Sequence, residues 1–104
     1  MLFMVLISMT DPGQDQRQQA WIGDAVLSLY ARSWILREKG SMDGGLQSLI
    51  TSNDFLATIG NPTAVEADIG KVYEAEGLEA AFQWIEEEIM PRFLAQEKRR
   101  ARQR

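Results

Sequence analysis

The chain contains no cysteine and no histidine. The first absence excludes a disulfide framework and a thiolate metal site. The second removes the commonest general base and metal ligand. Any hydrolytic chemistry here must run on carboxylates, with a hard, oxygen-ligated cation as the natural helper. No segment shows the apolar–polar alternation of a half-buried strand.

The remaining composition is that of an ordinary globular protein. Hydrophobic residues make up 45% and charged residues 25% of 104 positions, enough for one small domain with a modest core. The start, "MLFMVLISM", is apolar but too short for a membrane span. It also lacks the basic region and small-residue cleavage site of a signal peptide. Met9 reads as the better start, with Met1–Ser8 a start-site artefact; the alternative is a short docking segment. A cytoplasmic protein without membrane association is expected.

Charge is unevenly spread. Residues 97–104 carry five basic and one acidic residue, and residues 1–96 carry six basic and fourteen acidic. The net charges are +4 and −8, together the −4 of the whole chain. An acidic body with a basic tail has two readings. Lys98, Arg99, Arg100, Arg102 and Arg104 form either a polyanion-contacting arm or a solvated helix end.

Everything between reads as helices, so the fold class is all-α. Pro12-Gly13 breaks the chain, and a long helical pattern runs from about Gln14 to Lys39, stopping at Gly40. "SMDGG" is a turn, "LQSLIT" (46–51) a short helix, and Asn53 a candidate cap for "DFLATI". Asn61-Pro62 opens a helix over about 62–75, with proline where its missing N–H costs little. Gly77 separates it from a last helix over about 78–98, which Pro91 should kink or divide. The chain divides into an extension (1–13), a helical domain (14–96) and the tail (97–104).

Two acids stand out. On a wheel of about 100° per residue, the first helix is apolar over most of its circumference, as in a central helix packed on several sides. One stripe differs: Arg17, Asp24, Ser28 and Arg32. Asp24 is either a buried acid satisfied by Ser28 or an arginine, or a carboxylate facing a cleft. Val65, Ile69, Val72 and Tyr73 form the apolar face of the fourth helix, and Glu66 lies at its edge beside Gly70. Gly70 has no side chain, so another helix can approach there. Thr63-x-x-Glu66 also has the spacing of a capping box, the structural alternative to a role for Glu66 in a site.

The motifs around these acids resemble those of the ribonuclease III family. "WIGDAVLSLYAR" (21–32) is similar to its signature helix, in which Gly-Asp-Ala-Val carries a catalytic Asp. "AVEADIGKVYEAEGLEAAFQWI" (64–85) resembles its second acidic helix, and "LITSNDFLATIG" (49–60) its intervening Ser-Asn helix pair. The resemblance covers about residues 18–95, in order. It implies a compact helical bundle, a ribonuclease III-like endonuclease domain. Asp24 and Glu66 would be catalytic residues and ligands of Mg²⁺, with Mn²⁺ as a substitute. The activity implied is endonucleolytic cleavage of double-stranded or structured RNA, ribosomal precursor RNA included, leaving a 5′-phosphate, by a homodimer. In size and motif the nearest match is the Mini-III branch, which has no double-stranded-RNA-binding domain.

The chain also departs from the family pattern. Ala20 and Arg17 stand where full enzymes have acids before Gly-Asp, and Thr63 stands where an Asp precedes Glu66. The connection from Gly60 to the Glu66 helix is short, and Asp68 replaces a usual Leu. Asp43 reads as a loop acid near the cleft or as a helix N-cap. These departures admit two other readings: a catalytically weakened domain that binds RNA or ribosomes, and a purely structural dimerisation module. Trp21, Trp34 and Trp84 read as core or dimer interface rather than base-stacking platforms. Met42 and Met90 read as packing, and Glu86–Glu88 as a solvated face.

Overall fold

The computed structural model describes residues 12–103. The expectations for Met1–Ser8 and Arg104 lie outside the described residues. Six helices follow one another: α1 (Pro12–Lys39), α2 (Gly44–Ile50), α3 (Asn53–Leu56), α4 (Pro62–Glu76), α5 (Leu78–Glu88) and α6 (Met90–Arg102). No strand occurs among the described residues, and the fold is all-α.

Local chemistry sets most of the boundaries. Gly40 ends α1 at a positive φ of 74°, which a side chain would resist, and its N–H bonds the Leu36 carbonyl at 2.9 Å. Asp43 caps α2, accepting the Leu46 N–H at 2.9 Å. This is the N-cap reading of Asp43, and the carboxylate also takes Lys39 at 3.4 Å. Leu46 and Lys39 together hold the Asp43 carboxyl below its ordinary range. The cap of α3 is Ser52, which accepts the Phe55 N–H, so Asn53 is its first residue and not its cap. Asn61 caps α4 by accepting the Ala64 N–H at 3.1 Å, with Pro62 at the first turn as expected.

Pro91 divides the last helix. It sits in the first turn of α6, where an absent N–H is harmless, and Ile89 joins α5 to α6. The ladder still crosses the joint: Ile89 donates to Ile85 and accepts from Phe93. The tail continues as helix to Arg102.

The most extensive helix contact is between α1 and α4, and α5 packs against both. Gly23 and Gly70 make that contact close. A Cβ on Gly23 would overlap the Glu66 carbonyl, and one on Gly70 would overlap the Gln19 carbonyl. The core continues along the same face of α1, where Leu27 and Ala31 follow Gly23 at spacings of four. Leu27, Ala31, Ile35, Ile50, Leu56, Ile69, Ile85, Ile89 and Phe93 are all buried there. Phe93 meets Phe55 edge-to-face at 5.3 Å and Trp34 at 6.4 Å, tying α6 to α3 and α1.

Three expectations about burial are corrected. The first helix is not covered all round: Trp21, Ala25, Leu29 and Leu36 share an exposed face of α1. Met42 is 89% exposed, because the turn after α1 carries it away from the core. Trp21 is 79% exposed, whereas Trp34 and Trp84 are partly buried against the core. Met90 is buried, and Glu86–Glu88 face solvent, where Glu86 accepts a long bond from the Tyr30 hydroxyl at 3.5 Å. Burial first and Glu86 next raise the Tyr30 pKa.

Candidate functional site

Asp24 and Glu66 come together. Gly23 rests on the backbone of Glu66, so the residue after it in α1 must sit beside that residue of α4. The two side chains meet in an open cleft of about 350 Å³ lined by Arg17, Ala20, Trp21, Asp24, Thr51, Asn53, Thr63 and Glu66. Three parts of the chain contribute: one side of α1, the α2–α3 joint and the first turns of α4.

Asp24 is exposed, not buried, which removes the reading of a core acid satisfied by Ser28 or an arginine. No buried polar or charged side chain occurs among the described residues. The capping-box reading of Glu66 fails for a different reason. Asn61 takes the cap position, so Thr63 already lies inside the helix and Glu66 is not three residues past the cap.

Glu66 holds its proton more tightly than an ordinary glutamate. Burial raises the Glu66 pKa, and the hydrogen bond and negative charge of Asp24 raise it further, to about 8. Glu66 is the more covered of the two. Two neighbouring carboxyl groups form a site whose electrostatics favour a bound positive charge.

The donor set fits a hard divalent cation in type, since both groups are carboxylates open to solvent. No group of three or more acids able to hold a metal occurs among the described residues. The remaining positions around such an ion belong to water and substrate, as is usual for Mg²⁺.

The other candidates sit elsewhere. Asp43 lines a separate groove with Arg32, Ile35, Leu36, Met42, Gly44 and Gln47. Lys98, Arg99, Arg100 and Arg102 are exposed on the last turns of α6; none of them lines the cleft. Arg100 makes one exposed ion pair with Glu97 at 3.8 Å. Asp68 is exposed, as the wheel implies.

The stripe on α1 marks Arg17 together with Asp24, and the resemblance marks Ala20 and Thr63, but nothing in the residue spacing points to Thr51 or Asn53 as cleft residues. Thr63 stands three residues before Glu66, one helical turn away, and that spacing is the signal for it. Thr51 turns its hydroxyl back to the Gln47 carbonyl at 3.0 Å, so it shapes the wall and offers no free donor.

No family model, no curated protein and no solved structure matches this chain. No helix among the described residues is long and apolar enough to cross a membrane.

Proposed function

We propose that the cleft is the metal site of a Mg²⁺-dependent endoribonuclease of the ribonuclease III type, nearest to the Mini-III branch. Its substrate is double-stranded or structured RNA, and its setting the cytoplasm. The single observation that carries this reading is the meeting of Asp24 and Glu66. They are the acids of two motifs far apart in sequence, and the α1–α4 crossing sets them side by side. Asp24 and Glu66 would hold Mg²⁺, or Mn²⁺ in its place, which would supply polarisation of a phosphate oxygen and a more acidic water, so that no histidine would be required.

The chain's own residues do the rest. Asp24 and Glu66 would hold the cation, which would compete with the proton on Glu66. Ala20 and Thr63 contribute uncharged lining to the cleft. The shape of an A-form duplex and its 2′-hydroxyls would be read across the surrounding surface. The basic end of α6 supplies sequence-independent attraction to phosphate. Ala25, Leu29 and Leu36 on the exposed face of α1 fit a homodimer interface.

One observation favours a second reading, an RNA- or ribosome-binding domain with weakened catalysis. Arg17, Ala20 and Thr63 line the cleft in place of further acids. The test is labelled double-stranded RNA incubated with and without Mg²⁺, beside Asp24→Asn and Glu66→Gln. Metal-dependent cleavage, lost in both variants, is expected. Binding without cleavage, indifferent to both substitutions, selects the second reading. No RNA affinity at low salt removes both.

A further inference from the structure

Trp21 poses a problem that the two acids do not explain. It is an indole left 79% exposed, while the two other tryptophans pack against the core. It lines the cleft between Arg17, one turn before it, and Asp24, one turn after it. Side chains three and four apart follow one another along one side of a helix, about 5–6 Å between Cβ atoms. Cation, aromatic ring and metal-binding carboxylate are therefore presented in that order along the cleft.

Arg17 is not engaged elsewhere among the described residues. No hydrogen bond or ion pair takes up its guanidinium among the described residues. Nor does it lie over the indole, since a ring so exposed has open faces. The pair is an aromatic platform beside an unspent, always-charged, fork-shaped donor.

We infer that Arg17 and Trp21 form a nucleotide clamp, in which Trp21 stacks an unpaired base and Arg17 takes the phosphate next to it. A base has a π-face and a neighbouring anion, which is the chemistry that this sequence of side chains matches. A base locked in a duplex has no open face for Trp21. The clamp thus selects RNA with a bulged, looped or frayed nucleotide beside the bond held at Asp24 and Glu66. Asn53, which lines the same cleft at the start of α3, offers amide donor and acceptor groups for the edge of that base. This inference rests on the reading of the cleft as an RNA site and narrows its substrate class.

The test uses the full chain and a fluorescein-labelled RNA hairpin with one bulged adenosine. Two control hairpins carry no bulge or an abasic bulge. Binding is read by anisotropy without divalent metal, and cleavage is read separately with Mg²⁺. Trp21→Ala should weaken binding of the bulged hairpin by about tenfold or more, and Trp21→Phe should restore most of it. The abasic hairpin should bind parent and Trp21→Ala alike. Arg17→Ala should weaken binding and lower the salt slope by about one phosphate contact.

Equal affinity of parent and Trp21→Ala for the bulged hairpin overturns the inference. So does a change from dimer to monomer in Trp21→Ala with affinity retained, which makes the indole a contact between copies. The two readings separate cleanly. Cleavage by the parent with no effect of Trp21 or Arg17 on binding leaves the metal site and removes the clamp. Clamp-dependent binding without cleavage at any Mg²⁺ concentration leaves the clamp and removes the metal site.

Discussion

Gly23 of α1 lies directly against the backbone carbonyl of Glu66 in α4. This contact sets the register of the two acids, because Asp24 is the next residue of one helix and Glu66 is the contacting residue of the other. The reciprocal contact of Gly70 on Gln19 fixes the crossing from the other side.

Gly23→Ala should therefore be strongly destabilising. Alanine is the better helix former by about 1 kcal/mol, but here its methyl group would occupy the space of a backbone carbonyl. The helices would have to separate, at a cost of about 3 kcal/mol or more. Gly70→Ala should behave alike, and the double variant should be less destabilised than the sum of the two single variants. Gly45→Ala is the control. Its Cβ would meet only the Asp43 carboxylate at an ordinary 3.6 Å, so it should be neutral or slightly stabilising. Urea unfolding of these proteins gives the comparison, and equal stability of Gly23→Ala and Gly45→Ala would disprove the close crossing.

The pH dependence follows from the sign of the Glu66 shift. Its pKa rises from 4.5 to about 8 on folding, so the folded state holds the proton more tightly. That stabilisation is fully present below about pH 4.5 and is lost as pH rises through about 8. Without metal, the melting temperature of the parent should fall from pH 6 to pH 9 more than that of Glu66→Gln. A divalent cation competes with the proton, so Mg²⁺ should raise the melting temperature more at pH 9 than at pH 6. Thermal melts at the two pH values, with Mg²⁺ or EDTA, measure both effects. An Mg²⁺ effect of the same size at both, or in Glu66→Gln, would contradict a metal held by this pair.

The helices and their breaks are legible in the sequence because they rest on local chemistry. Proline at Pro62 and Pro91, glycine at Gly40 and Gly77, and the caps Asp43 and Asn61 act within a turn or two of chain. The acid pair is half legible. The stripe through Arg17 and Asp24 marks one wall of the cleft, and Gly70 marks a close approach. That Asp24 is the partner of Glu66 follows from the resemblance and not from periodicity. Exposure is the least legible property. A wheel shows which residues are apolar but not which side the rest of a small chain can reach. Six helices have too little surface to cover α1 and the turn after it, and so Trp21, Leu29, Leu36 and Met42 are exposed where their apolar character implies packing.

Phe93→Ala should unfold the protein most readily among core changes. The ring is fully buried and bridges Phe55 of α3 and Trp34 of α1, with Met90 the other buried side chain of α6. The loss expected for such a truncation is about 3–5 kcal/mol. Phe93→Leu keeps much of the volume and should cost about 1.5 kcal/mol. Urea midpoints give both numbers, and a loss below about 1 kcal/mol for Phe93→Ala would mean that α6 is not docked through this residue.

The tail separates affinity from stability. Replacing Arg99, Arg100 and Arg102 with glutamine leaves the helix formers in place and removes three charges. Cations in a last turn favour the helix dipole, and the exposed Arg100–Glu97 pair contributes little, so stability should fall by less than about 1 kcal/mol. RNA binding should respond far more. For every phosphate that is no longer neutralised, the slope of log affinity against log salt should fall by about 0.7–0.9. The effect should be large at low salt and small near physiological salt, whatever the RNA sequence. A salt series by anisotropy with parent and triple variant decides it. If the two slopes coincide, the basic end of α6 is a solvated helix end and the attraction to RNA lies in the cleft alone.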